Sequence, residues 1–576
     1  MLSLLRYFSH YKKEAILAPL FKLLEACFEL LVPLVIARMV DAIIPNKDKN
    51  GLFVVVILLI SVAVISVIMA LIAQFFSAKA AVGFTKEMTD DLYQKVLTLP
   101  TLIRDSLTSD TLLTRLTSDT LRIQIGINSF LRLFLRAPIV VFGALIMAAT
   151  INVTLSFYFL ILIIALVFIV TLVSRVANRY YVTLRKYLDK LVLAVRENIV
   201  GQRVIRAFGQ SNREIAQYTA ENDRYTQIQI RAGHWEAFLS PATFIIVNGT
   251  LLGLIWSGHL AIANGSLEQG ALIALVNYLS QILVELVKMV AVISAMNQAY
   301  ISAGRIHEIM QQPSEAIDDR LPILTVTDKS IVVSCDAASF AYPNSQVPAL
   351  DGISFTLSRG QVMGIIGGTG SGKSTLIDLL MGLYPISGGK LSLYYNGESP
   401  ATLKHWRSLI SLVPQKAQLF SGTIRSNLVM GLSQVKDDDL WKALEAAQAA
   451  QFVREKDGLD TPVDAFGRNF SGGQRQRLTI ARALLHDTAS ILILDDATSA
   501  LDYVTESNVL TAIQNSYPDK AVILISQRTN SISQSDQILV LDKGCVVGFG
   551  NHHDLLDTCT IYREIDASQH SQEVVG

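Results

Sequence analysis

The residues best suited to chemistry are Gly367, Gly368, Thr369, Gly370, Ser371, Gly372, Lys373 and Ser374, with Thr375 directly after them. They fit the phosphate-binding pattern G-x-x-x-x-G-K-[S/T]. Glycines are needed because backbone N–H groups must turn inward around a triphosphate with no Cβ in the way, at a helix N-terminus whose partial positive charge favours anions. Lys373 is then expected to neutralise the β- and γ-phosphates of ATP, and the Ser374 hydroxyl to bind Mg²⁺. Further along, Ile491-Leu-Ile-Leu-Asp495 ends an apolar run in a carboxylate, the second half of the same arrangement, which places Asp495 in the Mg²⁺ shell. Tyr342, in Phe340-Ala-Tyr-Pro343, is either a plain core residue or a face for adenine to stack on, an interaction of about 1–3 kcal/mol.

Such residues must be carried by a strand, a loop and a helix in that order. Residues 361–366 read as a short buried strand and 375–383 as an apolar helix start. Residues 332–339, 409–414 and 521–525 read as further strands; the second is followed by Gln415, where a nucleotide-binding sheet presents its C-terminal edge. A soluble α/β domain is therefore expected over 331–576, behind a linker over 311–330 marked by Gln311-Gln-Pro-Ser and Asp318-Asp-Arg-Leu-Pro.

The first 310 residues are of another kind. With 51% hydrophobic and 17% charged residues and a mean hydropathy of +0.40, the chain is too apolar for an ordinary soluble enzyme, so part of it lies in lipid. Lys and Arg total 49 and Asp and Glu total 49, a balance that points to no nucleic-acid partner. Cys27, Cys335, Cys545 and Cys559 are too scattered for a disulfide framework or a metal site and fit free thiols in a reducing compartment.

Six apolar stretches, 15–43, 52–76, 130–149, 155–176, 237–262 and 271–295, are near or above the roughly 20 residues that cross a bilayer as a helix. Residues 2–13 resemble a short amphipathic helix at the membrane surface rather than a signal peptide. Basic residues crowd the connections between spans two and three and between four and five, which makes those connections and both termini cytoplasmic; Lys47 and Lys49 are a small exception outside. Both connections have helical period, so the membrane helices extend into the cytosol and turn back near 104–119 and 197–209, as a docking surface or a solvated hairpin. Within the spans, Glu285 and Lys288 are spaced to pair, while Glu25 and Glu29, with only Lys22 near, line a polar cavity wall or join a structural network. Phe28, Asn248, Asn277 and Gln281 are candidates for the same wall.

Ser471, Gly472, Gly473 and Gln474 lie between the two halves of the phosphate site, and with them the chain resembles an exporter-type ABC half-transporter over essentially its whole length. The resemblance implies a polytopic α-helical membrane domain of six transmembrane helices with long cytoplasmic extensions, followed by an α/β P-loop nucleotide-binding domain. It makes Ser471 to Gln474 the ABC signature, Ser499-Ala-Leu-Asp502 the D-loop and Tyr342 the adenine-stacking residue. Gln415 becomes the Q-loop residue that joins Ser374 and Asp495 at the metal, and the two inner turns become coupling helices. In that family two nucleotide domains meet head to tail, each ATP lying between one domain's phosphate loop and the other's signature. ATP then drives hydrophobic drugs, lipids or peptides outward by alternating access.

Three positions depart from that pattern. Asp496 stands where hydrolytic sites carry a glutamate that polarises water, and Gln527 where they carry a switch histidine; Ala465 replaces a glutamate frequent before the signature. Shortening a carboxylate by one methylene retracts it by about an ångström, a misplacement able to cost on the order of 100-fold in rate. The expectation is a cell-membrane subunit of a bacterial heterodimeric exporter, with Asp496 and Gln527 in a slow site of its own and a signature that completes the partner's. A homodimeric exporter that tolerates aspartate and a nucleotide-gated channel or regulator are the alternatives. Asn551-His-His-Asp554 reads as a turn rather than a metal pair, Asn152-Val-Thr154 is a sequon by pattern alone, and the polar tail 567–576 is expected to be loose.

Overall fold

The computed structural model describes residues 2–318, 320–343 and 345–573. Its chain forms two compact units, one of Met1–Leu97 with Leu107–Gln312 and the other of Thr98–Ser106 with Pro313–Gly576.

The first unit is helical. After a 3₁₀ segment, Leu2–Phe8, come α1 (Lys12–Arg38) and α2 (Lys49–Leu97); α3 (Thr101–Ser106) belongs to the second unit. The chain returns through α4 (Ser109–Thr114), α5 (Thr120–Ser129) and α6 (Arg136–Ile151), then α7 (Val153–Val200), α8 (Gln202–Ala207), α9 (Ser211–Ala263) and α10 (Gln269–Gln311). Among the described residues, five stretches are long and apolar enough to cross a membrane: α2, 109–151, α7, α9 and α10. The remaining expected span, α1, has Lys22, Glu25 and Glu29 in its middle, and its charges are paired rather than absent: Lys22 Nζ donates to Glu25 at 2.6 Å. Outward side chains such as Leu71, Phe75 and Phe142 are exposed apolar groups, as a lipid-facing surface requires. Small residues set the close approaches: a Cβ on Gly126 would fall 2.2 Å from that of Ala299.

Glu29 is not left without a basic partner. Arg136, which opens α6, donates to the Glu29 carboxylate and lies 3.1 Å from Glu285, which in turn meets Lys288 at 3.3 Å. Three helices are thus tied by a line of alternating charge. Burying Arg136 is tolerable because both of its carboxylates come from neighbouring helices. A second knot is Asp119, fully buried, held by Arg115 at 2.8 Å, Arg305 at 3.5 Å and the Ser302 hydroxyl at 2.8 Å.

In the second unit β1 (Ile331–Phe340), β2 (Leu350–Ser358), β3 (Val362–Gly367), α11 (Lys373–Leu380) and β4 (Gly388–Leu393) lead to α12 (Leu403–Ser408) and β5 (Ile410–Val413). A smaller helical part follows: β6 (Gly422–Thr423), α13 (Ile424–Leu428), α14 (Asp437–Ala446), α15 (Ala450–Arg454), β7 (Pro462–Val463) and α16 (Gly472–Leu484). The chain ends with β8 (Ile491–Asp495), α17 (Tyr503–Ser516), β9 (Ala521–Ile525), α18 (Thr529–Ile532), β10 (Gln537–Asp542), β11 (Cys545–Gly550), α19 (His552–Thr558) and α20 (Thr560–Glu573). The central sheet has the order β11-β10-β3-β9-β8-β5, parallel except for β11. Its inner strands are apolar on both faces because both are covered: Ile365, Ile493 and Ile523 join one core, Leu492, Leu494 and Leu524 the other. The tail expected to be loose is helical through Glu573; Val574, Val575 and Gly576 lie outside the described residues.

Replacing the bridging cation by Arg136→Met should strand two carboxylates and lower stability by about 3 kcal/mol. Thermal melting of the detergent-purified protein would report this, with partial recovery when Glu29→Gln and Glu285→Gln are added; an unchanged melting temperature would contradict the reading.

Candidate nucleotide site

Parallel register brings the site together. Ile365 of β3 pairs with Ile525 of β9, which also pairs with Asp495 of β8, while Leu494 pairs with Val413 of β5. The loops bearing Gly368 to Ser374, Gln415, Asp495 with Asp496, and Gln527 therefore leave one edge, the C-terminal one, where open α/β sheets place their ligands.

The loop itself is shaped by its glycines. Gly370 has φ +79° and Gly372 φ +103°, both in the left-handed region, and a Cβ on Gly372 would press on Ala349 O at 2.9 Å. Nothing lies within 4 Å of a Cβ placed on Gly368 or Gly370, so the loop's open side could take a phosphate chain at the start of α11. Lys373 Nζ lies over this cradle, donating to Gly367 O at 2.7 Å and Gly368 O at 2.8 Å. Burial pushes its pKa down, and Asp495 and Asp496 partly restore it.

Ser374 and Thr375 lie in the first turn of α11, and the carboxylate of Asp495 ends β8. Burial and the neighbouring Asp496 push the Asp495 pKa up, against Lys373 and a backbone hydrogen bond from Gln415. Hydroxyl, amide and carboxylate oxygens of Ser374, Gln415 and Asp495 form a hard donor set that fits Mg²⁺. Gln415 Nε2 donates to Asp496 Oδ2 at 3.2 Å, so this residue meets Asp495 through its backbone and Asp496 through its side chain. Asp496 sits at φ +46°, a left-handed conformation that aspartate adopts more readily than most residues. Its carbonyl is held by Ser499 Oγ at 2.8 Å.

Tyr342 stands beside the loop with its hydroxyl 3.1 Å from Thr375 Oγ1 and its ring in edge contact with Phe340 and Tyr384. A little over a third of it is exposed, which leaves a face for stacking. Tyr384 was not singled out by the sequence, yet its hydroxyl donates to Asp105 of α3, from the first inner turn. Burial and the Asp105 carboxylate raise the Tyr384 pKa well above the usual phenol range. The segment around α3 is further bound by Glu315 N to Thr98 O, and Glu315 grips Arg407 through two bonds of 2.6 and 2.8 Å. An aromatic one turn beyond a phosphate-loop helix was the available signal for Tyr384, but its partner is 279 residues away in sequence.

Ser471, Gly472, Gly473 and Gln474 are brought to the D-loop instead: a Cβ on Gly473 would lie 3.2 Å from Ala500 O. Among the described residues, no hydrogen bond joins the signature residues to those of the phosphate loop. Ser471 caps α16 through a reciprocal pair, its Oγ accepting from Gln474 N and its N donating to Gln474 Oε1. This leaves an exposed helix N-terminus of a 13-residue helix, suited to an anion presented from outside. Ala465 lies in a short turn beside Phe466, whose ring is largely exposed. His552 Nδ1 is 2.7 Å from the Tyr562 hydroxyl, part of the packing of α19 on α20.

The comparisons agree with this architecture. A family model for the ABC transporter transmembrane region matches residues 15–286, and one described as ABC transporter matches 350–499. An uncharacterized ABC transporter ATP-binding protein of Mycobacterium tuberculosis is 32% identical over 100% of this chain and 99% of its own. An ATP-dependent lipid A-core flippase of Chromobacterium violaceum is 28% identical over 99% of this chain and 97% of its own. The structure of a bacterial Atm1-family ABC exporter with ATP bound superposes with TM-score 0.78, at 23% identity, over 97% of this chain and 98% of that one. The chain therefore belongs to the ABC transporters, as an exporter-type half-transporter with a helical membrane region fused to an ATP-binding domain. It is a multi-pass membrane protein and an ATPase-coupled transporter.

Asp378, half-buried on α11, titrates unusually: burial, Asp105 and Asp495 raise its pKa to about 6. The fold favours its neutral form, so stability is lost as pH rises from about 4 through about 6. Asp378→Asn should match the parent below about pH 4 and exceed it by about 1 kcal/mol above pH 6, the solvent-exposed half of the group discounting the full shift. Melting curves of the nucleotide-free protein across pH would show it; a gap constant with pH would refute it.

Proposed function

We propose that this chain is the degenerate-site subunit of a heterodimeric exporter, binding ATP at its own phosphate loop while its signature completes a faster site on a partner chain. The observation that carries the reading is the pair Asp496 and Gln527 at the C-terminal ends of β8 and β9, the two places from which water and γ-phosphate would be handled. Asp496 keeps a carboxylate but retracts it, and its amide neighbour Gln415 already occupies one of its oxygens. Gln527 is exposed and offers an amide in place of an ionisable imidazole, so it can bond a γ-phosphate without exchanging a proton. Lys373 and the inward-turned backbone of Gly368 to Gly372 bind the phosphates, Tyr342 stacks on the base, and the signature residues Ser471 to Gln474 meet the partner's ATP. Ser374, Gln415 and Asp495 would hold Mg²⁺, which neutralises phosphate charge.

The machine needs two such chains. On α8 and its flanks, Ile199, Val200, Val204 and Phe208 are largely exposed apolar side chains at an inner turn, which supports their docking on a partner's nucleotide domain. The first inner turn serves this chain's own domain, where Asp105 meets Tyr384. ATP held between two domains favours their closure, and the coupling segments carry it to the membrane helices, turning a cavity from the cytoplasm to the outside. The basic inner connections support cytoplasmic termini. Relatives named as lipid A-core flippases and the apolar character of the spans favour a hydrophobic or amphipathic cargo, a lipid, drug or peptide.

The purified chain alone should hydrolyse ATP at least tenfold more slowly than the assembled pair. Removing the partner's glutamate should abolish transport, whereas Asp496→Ala should only impair it. ATPase assays and uptake of a hydrophobic dye into inverted vesicles would decide; a lone homodimer working at the pair's rate would overturn the assignment.

A further inference from the structure

The turn that carries Gln527 is held by a residue from the far end of the chain. Between β9 and the four-residue α18 lie Ser526, Gln527 and Arg528, too short a stretch to fix its own geometry. From α20, Gln569 uses both ends of its amide on this turn: Nε2 donates to Gln527 O at 2.7 Å, and Oε1 accepts from Thr529 N at 2.9 Å and from Thr529 Oγ1 at 3.2 Å. Thr529 is fully buried, so the two bonds it donates are partly sheltered from water, while the one to Gln527 O lies at the surface. The other side of the turn is tied to the sheet and the D-loop. Ser526 N donates to Ile365 O at 3.2 Å, Arg528 N donates to Ser526 Oγ at 2.9 Å, and the Arg528 guanidinium lies 3.5 Å from Ser499 O and 3.7 Å from the buried Glu506 carboxylate.

We propose that Gln569 is a positioning residue for Gln527, and that α20 is thereby part of the ATP-handling apparatus. A glutamine is the side chain this task calls for. Asparagine is one methylene short, and glutamate keeps the acceptor for Thr529 but loses the donor and sets a negative charge against Gln527 O. The base of the lever is firm: Tyr562, about two turns earlier on the same face of α20, is fully buried and bonded to His552 of α19. The exposed Gln527 side chain thus extends from a backbone held at both ends. The inference rests on the reading that Gln527 meets the γ-phosphate.

The test uses the full chain in its assembled transporter, with single-turnover hydrolysis of ATP at this chain's own site and ATP affinity measured separately. Gln527→Ala should slow hydrolysis about tenfold; if it does not, the reading of the site fails and not merely its support. Given that effect, Gln569→Ala and Gln569→Glu should each slow hydrolysis about fivefold or more, with ATP affinity within about twofold and melting unchanged for the glutamate variant. Adding Gln569→Glu to Gln527→Ala should cost nothing more. Parental hydrolysis in Gln569→Glu, or a loss in the double variant that equals the product of the two single losses, would overturn the proposal.

Discussion

The nucleotide site depends on a single constraint, that β3, β9 and β8 are parallel and in a register that ends them together. Ile365 opposite Ile525 and Ile525 opposite Asp495 bring three loops to one edge. A parallel sheet of this kind must be buried on both faces, which its two apolar cores achieve, and burial makes the edge stiff enough to hold a carboxylate to ångström precision. Against that stiffness the difference between Asp496 and a glutamate becomes meaningful. On a loose loop a methylene could be absorbed; at the end of β8, with φ at +46° and the carbonyl held by Ser499, there is little slack.

The membrane unit answers a different constraint. Polar groups at depth are costly unless they meet one another, and the chain arranges its charges in lines: Glu29, Arg136, Glu285 and Lys288 across three helices, and Asp119 among arginines of the inner extensions. The first group is neutral by count and the second carries an excess of arginine, yet both fix which helix lies beside which, something apolar packing alone specifies poorly.

Motifs that are local in sequence were legible. The phosphate loop, the strand ending in Asp495 and the signature Ser471 to Gln474 each declare themselves within about eight residues, because their chemistry is made by backbone turns and short spacings. Features built by distant residues were hidden. Arg136 lay inside a stretch read as uniformly apolar, so the cation between Glu29 and Glu285 went unnoticed. Tyr384 gains its importance from Asp105, and Gln569 from Gln527; nothing in either neighbourhood announces the partner. The tail containing Gln569 was taken for loose chain on polarity, yet it is a helix whose buried anchor, Tyr562, precedes the polar stretch. The charges of α1 did not hide it as an apolar stretch, since they are paired, and paired charges weigh on hydropathy without barring a helix from the membrane.

We propose that this chain's own site keeps its ATP intact through several turnovers of the partner's site. The most direct test is to load the assembled transporter with photoreactive ATP labelled on the γ-phosphate, let it turn over unlabelled ATP for several cycles, and cross-link. The label should remain on the subunit whose phosphate loop is Gly367 to Ser374 while bulk ATP is consumed. Loss of that label within a single cycle, at the rate of overall turnover, would contradict the account.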